Sequence, residues 1–287
     1  MSILQSYFKP INDLVNYKDY AQLIKRIIDL TLDTEDILYY KETVDFLDWL
    51  DVTPNEEERK LRMVSLLEKL QHFLQDKPVQ SVENGNPLLT VNNLIRTYKN
   101  SSFALGPVSF EVREGKIIGL VGENGNGKTT LLRSLCGELQ ATGGEIKYLF
   151  PYKNGYDLRS HPIYIPQRTD SWRGSLLSNL QFTAASYGLK GEANEYVVQL
   201  IIARMGLRKY RNYKWRNLSS GYKMRFELAR ALLRKPKLLL IDEPLANLDT
   251  LAQQIVLDDF RDIASSPFRP LGIILRSLQL VEVVTTS

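Results

Sequence analysis

Lys116–Arg133 reads KIIGLVGENGNGKTTLLR. Within it, Gly122-Glu123-Asn124-Gly125-Asn126-Gly127-Lys128-Thr129 fits the pattern G-x-x-x-x-G-K-[ST]. The apolar run Ile117 to Val121 before it predicts a buried strand. Thr130 to Leu135 after it predicts the start of a helix. A strand, a glycine-rich turn and a helix in that order build a cradle for phosphate. Glycines let backbone N–H groups turn inward, and the helix N-terminus adds partial positive charge. Lys128 is placed to reach the outer phosphates, and the Thr129 hydroxyl to hold Mg²⁺. The expected nucleotide contacts are therefore Gly122, Asn124, Gly125, Asn126, Gly127, Lys128 and Thr129, with Thr130 beside them at the helix start.

The rest of the composition is that of an ordinary water-soluble chain. Of 287 residues, 44% are hydrophobic and 24% charged. No apolar run approaches the ~20 residues that a membrane-spanning helix needs. The N-terminus, MSILQSYFKPIND, lacks the basic-then-apolar layout of a secretion signal. The single cysteine, Cys136, excludes an internal disulfide and reads as a small buried thiol. The net charge of +4 is unevenly placed: residues 1–87 sum to −6 and residues 88–287 to +10. A basic catalytic part suits a polyphosphate ligand or an acidic partner surface.

Residues 1–75 read as a small helical segment. Tyr20, Leu23, Ile24, Ile27 and Ile28 form an i, i+3, i+4, i+7, i+8 stripe, which predicts an amphipathic helix. A second helix is expected from about Glu35 to Leu50. A third is expected to start at Thr53 as cap, with Pro54 in the first helical position and Glu56 completing a capping box. No catalytic constellation stands out here, and His72 has no second ligand nearby. Either this segment docks on something else, or it packs on the chain's own catalytic part. Residues 76–87, DKPVQSVENGNP, break periodicity and read as a linker.

Two strands, Leu88 to Tyr98 and Phe103 to Val112, are expected before the phosphate loop. Ile163 to Gln167 reads as a short strand ending in Pro-Gln. Asn217-Leu218-Ser219-Ser220-Gly221-Tyr222 opens a helix running to Leu233. Lys237-Leu238-Leu239-Leu240-Ile241-Asp242-Glu243-Pro244 describes a buried parallel strand with two acids at its C-terminal end, where open α/β sheets bind ligands.

Taken together, these residues resemble the ATP-binding cassette family over roughly 88–280. The phosphate loop matches 122–129, and the adenine-stacking aromatic matches Tyr98. The Mg²⁺-sensing glutamine matches Gln167. The signature, usually L-S-G-G-Q, matches Leu218 to Tyr222. The strand with the acids matches Leu238 to Glu243, and the loop after it matches Ala246-Asn247-Leu248-Asp249. The resemblance implies a P-loop NTPase of α/β class: a parallel sheet core, an antiparallel β subdomain and a helical subdomain at about 171–235, all within a domain 88–287. It also implies a head-to-tail dimer, in which Ser219, Ser220 and Gly221 of a second copy complete each ATP site, and it makes Asp249 a further nucleotide-binding residue. Glu243 would activate the water, Thr129, Gln167 and Asp242 would hold Mg²⁺, and Lys128 would balance charge.

This sequence departs from the family pattern in three places. The stretch before the signature, RKYRNYKWR from Arg208 to Arg216, has no acid, unlike exporters that fuse both parts. Leu278 stands where the family has a switch histidine, with Gln279 beside it, which predicts slow turnover. The chain stops at Ser287, where the family usually adds further strands, so it reads either as a shortened form or as an incomplete sequence. The expectation is the ATP-hydrolysing subunit of a transporter, peripheral on the inner face of the cell membrane, working on a separate integral-membrane permease. The alternative is a soluble ATP switch acting on a partner protein. Nucleic acid is not an expected partner, and neither the substrate nor the direction of transport is encoded in any residue.

Overall fold

The computed structural model describes residues 2–52, 55–80, 85–99, 104–123, 125–168, 171–246 and 250–276. They fall into two compact units. The first comprises residues 1–80, 171–234 and 267–269; the second comprises 81–170, 235–266 and 270–287.

The first unit is helical. Four helices come from the N-terminal segment: α1 (Ile3–Asn16), α2 (Tyr20–Thr34), α3 (Ile37–Val52) and α4 (Glu56–Leu74). Ser2 caps α1 in a reciprocal capping box with Gln5. The start of α4 differs from the sequence expectation. The helix is capped by Asn55, whose side chain accepts from the N–H groups of Glu57 and Glu58 at 3.0 and 3.3 Å. Asn is as good a cap as Thr and sits directly against the acidic first turn Glu56-Glu57-Glu58, which complements the helix dipole. Thr53 and Pro54 lie outside the described residues.

Helix α2 carries the expected apolar stripe, but its other side is not solvent-facing. From Arg26 to Thr34 every residue is buried. Its apolar side carries Leu23, Ile27, Ile28 and Leu30. Its polar side is buried too, because partners far away in sequence satisfy it. Asp29 accepts from Arg204 Nε at 2.8 Å, and Asp33 pairs with Arg269. Thr31 and Thr43 join through their hydroxyls at 2.8 Å.

Arg204 ends a helix of the middle of the chain, so the N-terminal helices pack on that region. The same unit holds α7 (Leu176–Ser186), α8 (Gly191–Arg204) and α9 (Ser220–Leu233). Helices α2 and α3 both lie against α8. Arg208, just beyond α8, reaches Asp48 at 2.5 Å and Asp51 at 2.9 Å on α3. The charge asymmetry of the sequence thus has a local use: acids of the N-terminal helices meet bases of the helical middle.

The second unit contains both sheets. Strands β1 (Pro87–Thr97), β2 (Ala104–Arg113) and β4 (Gly143–Tyr148) form an antiparallel sheet of order β2-β1-β4. Strands β3 (Ile117–Leu120), β5 (Pro162–Ile165), β6 (Leu238–Asp242) and β7 (Gly272–Arg276) form a parallel sheet of order β3-β7-β6-β5. Helix α5 (Lys128–Leu135) follows β3, the short α6 (Gly155–Leu158) precedes β5, and α10 (Thr250–Ala264) links β6 to β7. One core joins these layers: Leu89, Val91 and Val112 of the antiparallel sheet, Leu131, Leu132 and Leu135 of α5, and Leu238, Leu240 and Ile274 of the parallel sheet. Strand β6 is buried along its whole length, as its LLLI run requires in the interior of a parallel sheet. Gly272 allows close packing at the start of β7: a Cβ there would lie 2.7 Å from Leu88 Cδ1.

Candidate functional site

The parallel register sets out the site. Leu120 of β3 pairs with Arg276 of β7, and Arg276 pairs with Asp242 of β6. The C-terminal ends of three adjacent strands therefore lie in one row, with the phosphate loop rising from the first and the acids from the third. Ligands of open α/β sheets bind at such ends.

The loop itself depends on glycine. Gly122, Gly125 and Gly127 have φ of 149°, 92° and 81°, a region that residues with a Cβ rarely enter. Gly127 is the N-cap of α5 and offers no side-chain cap, so the first N–H groups of that helix remain for another acceptor. Lys128 is buried, and its ammonium donates to the carbonyl oxygens of Gly122 at 2.5 Å and Glu123 at 2.6 Å. Burial and the neighbouring Arg276 guanidinium hold this ammonium below the ordinary lysine value, while Glu243, Asp242 and Glu123 oppose that shift. Gly122, Gly125 and Asn126 are exposed, and Thr129 and Thr130 are half-buried at the helix start. Asn124 lies outside the described residues.

Around Asp242 the polar groups converge. Thr129 Oγ1 donates to Asp242 Oδ2 at 2.7 Å, and Tyr164 of β5 donates to the same oxygen at 3.2 Å. Burial, then the adjacent Asp242, push the Tyr164 phenol far above its usual range, so it stays a donor. Arg276 Nη1 donates to Asp242 Oδ1 at 3.0 Å and to Thr129 Oγ1 at 2.9 Å. Its Nη2 meets Glu243 Oε1 at 2.5 Å. Gln167 Nε2 donates to the other oxygen of Glu243.

Glu243 has an unusual backbone. Its φ is 52°, left-handed for a non-glycine residue, and its N–H donates to the carbonyl of Arg276 at 3.1 Å. Such a conformation costs on the order of 1–3 kcal/mol and persists where its surroundings impose it, often at functional sites. The sequence-predicted group Lys128, Thr129, Gln167, Asp242 and Glu243 is thus brought together in one place. Its oxygen donors, a hydroxyl, a carboxylate and an amide, suit a hard divalent cation.

Two members of this cluster escape sequence reasoning. Tyr164 reads as an ordinary strand residue. Arg276 ends the apolar run GIIL, and a charge closing a buried strand is a legible signal, but the motif-based reading looks two residues further on. Leu278 and Gln279, like Asp249, lie outside the described residues.

The remaining expected residues sit elsewhere. Tyr98, just past β1 in the second unit, is 36% exposed, with the Arg96 guanidinium 4.9 Å from its ring centroid. Ser219, Ser220 and Gly221 belong to the first unit, at the start of α9. Ser219 is the N-cap and accepts from the Tyr222 N–H. Tyr222, in the signature's fifth position, is bonded through its hydroxyl to Tyr210 at 2.9 Å, with the two rings 4.0 Å apart.

The chain is similar to known proteins over much of its length. Residues 105–246 match a family model described as "ABC transporter". The ABC transporter ATP-binding protein NatA of Bacillus subtilis is 30% identical over 190 residues, covering 63% of this chain and 74% of NatA. The spermidine/putrescine import ATP-binding protein PotA of Mycoplasma mycoides is 36% identical over 183 residues, covering 61% of this chain and 50% of PotA. Two further curated relatives, of Photobacterium profundum and Pyrococcus furiosus, are matched over 34% and 65% of their length. The chain therefore spans between a third and two thirds of several of these relatives. A solved structure described as the ATP binding subunit of an ABC transporter is 28% identical with a TM-score of 0.55, covering 66% of this chain and 79% of that one.

Proposed function

The chain belongs to the ABC transporter family, and from that premise we propose that it is the ATP-binding and ATP-hydrolysing subunit of a transporter with a separate membrane permease. The observation that carries this reading is the convergence of Lys128, Thr129, Gln167, Asp242 and Glu243 on one row of strand ends. No helix among the described residues is long and apolar enough to cross a membrane, which fits a subunit that works on a separate membrane partner.

In the proposed reaction, loop N–H groups and Lys128 hold the β- and γ-phosphates, and Lys128 exchanges its loop carbonyls for phosphate oxygens. Glu243 accepts the proton of the water that attacks the γ-phosphorus in line, and the bond to the leaving ADP oxygen breaks. Thr129, Gln167 and Asp242 are the residues that would hold Mg²⁺. Bound there, Mg²⁺ would neutralise phosphate charge. Tyr98 would stack on adenine. Its present neighbour Arg96 offers a similar cation-on-ring contact, which the base would replace on one face. Ser219, Ser220, Gly221 and Asp249 would be offered to the ATP of a second copy in a head-to-tail dimer. The chain would lie on the inner face of the cell membrane. Relatives named for spermidine/putrescine import, phosphonates import and chelated iron transport differ among themselves, so no substrate is assigned.

The test is purification of the tagged chain from detergent-solubilised membranes of its source cell. Recovery of a polytopic protein in stoichiometric amount is expected. A chain found only in the soluble fraction, bound to a soluble partner, would instead favour an ATP switch.

A further inference from the structure

Arg276 occupies the middle of the site without belonging to any motif. Among the described residues its guanidinium touches groups from two elements: Thr129 Oγ1 on α5, and Asp242 Oδ1 and Glu243 Oε1 at the end of β6. The side chain is only 14% exposed. Thr129 and Asp242 are also the oxygen donors that the proposed function gives to Mg²⁺, and Glu243 is its water-activating group. A simple structural ion pair would need one carboxylate; here the planar fork of an always-charged group spans a hydroxyl and two carboxylates.

We propose that Arg276 is a resident cation at the metal position, so that Arg276 and Mg²⁺ compete for Thr129 and Asp242, and nucleotide binds with weak dependence on metal. Like charges repel, and a guanidinium bonded to these oxygens opposes a divalent ion on the same atoms. Without metal, Arg276 already offsets the two carboxylates that would otherwise repel the γ-phosphate. With metal, Arg276 gives up Thr129 and Asp242 and becomes free to donate to phosphate oxygens. This inference rests on the site being an ATP site.

The experiment is equilibrium binding of a non-hydrolysable ATP analogue to the full chain, in excess EDTA and in excess Mg²⁺. Binding of Mn²⁺ with the analogue is followed by electron paramagnetic resonance. The parent is expected to lose less than about tenfold in affinity when metal is removed. Arg276→Gln is expected to lose a further factor of about ten to a hundred in EDTA, the worth of a hydrogen bond to a charged group, and to bind Mn²⁺ more tightly. Arg276→Lys, which keeps the charge, should fall between the two. Equal metal dependence in parent and Arg276→Gln would overturn the proposal. So would a parent that needs Mg²⁺ by a hundredfold or more, a result read without any variant and therefore immune to misfolding. A parent that binds no analogue in either buffer would instead overturn the ATP-site reading beneath it.

Discussion

Replacing Asp29 by leucine should destabilise the helical unit more than any surface change. Asp29 lies on α2 and accepts from Arg204 Nε at 2.8 Å, and the Arg204 side chain is 1% exposed. Arg26, 6% exposed, is the second base near Asp29, at 3.6 Å. Removing the carboxylate takes away the Arg204 counter-ion at 2.8 Å while the guanidinium stays buried. Breaking a buried pair this way costs roughly 3–5 kcal/mol, against a total stability of about 5–15 kcal/mol for an ordinary domain. At about 2–4 °C per kcal/mol for a chain of this size, the midpoint of thermal unfolding should drop by roughly 6–20 °C. The assay is far-ultraviolet circular dichroism during heating. The second arm is Asp29→Leu combined with Arg204→Met. Swapping both charges for apolar groups is often neutral or better, so the double variant should melt above the single one. A fall of less than about 2 °C for Asp29→Leu, or a double variant that melts no higher than Asp29→Leu, would overturn this expectation.

Other expectations follow from the same geometry. Lys128→Ala should abolish most ATP binding, because Lys128 is the side-chain cation of the phosphate loop; a titration with labelled ATP giving unchanged affinity would oppose this. Removal of residues 1–86 should leave the chain aggregation-prone, since α2 and α3 cover α8 and pair with Arg204 and Arg208; a monomeric, cooperatively melting truncation would count against it. Cys136 should resist alkylation at pH 7–8 in the folded chain, because burial pushes its thiol up to about 11 and the reactive thiolate forms only as pH rises toward that value; labelling at the rate of a free thiol at pH 7 would contradict this.

The phosphate loop and the acids of β6 were legible because each is a short continuous run whose chemistry dictates its shape. Gly122, Gly125 and Gly127 announce a left-handed loop, and LLLIDE announces a buried strand ending at a ligand site. The helices of the N-terminal segment were legible as helices from their periodicity, except α1, where Pro10 falls inside the helix and blurs the pattern. What they pack against was not legible. The polar side of α2 looks solvent-facing because Arg204 and Arg269, the bases that neutralise it, lie 175 and 236 residues from their acids. Arg276 is the same case at the site: only the strand order β3-β7-β6 puts it between the loop and the acids. Local propensity carries no information about either pairing.

The proposed reaction makes Glu243 the water-activating group of ATP hydrolysis at this site. The most direct measurement is single-turnover hydrolysis of bound ATP by the parent and by Glu243→Gln, with binding measured in the same preparations. Glu243→Gln is expected to bind ATP within a few-fold of the parent and to hydrolyse it about 10²–10⁴ times more slowly, the usual worth of a positioned base. Equal rates for the two proteins, both binding ATP, would contradict it.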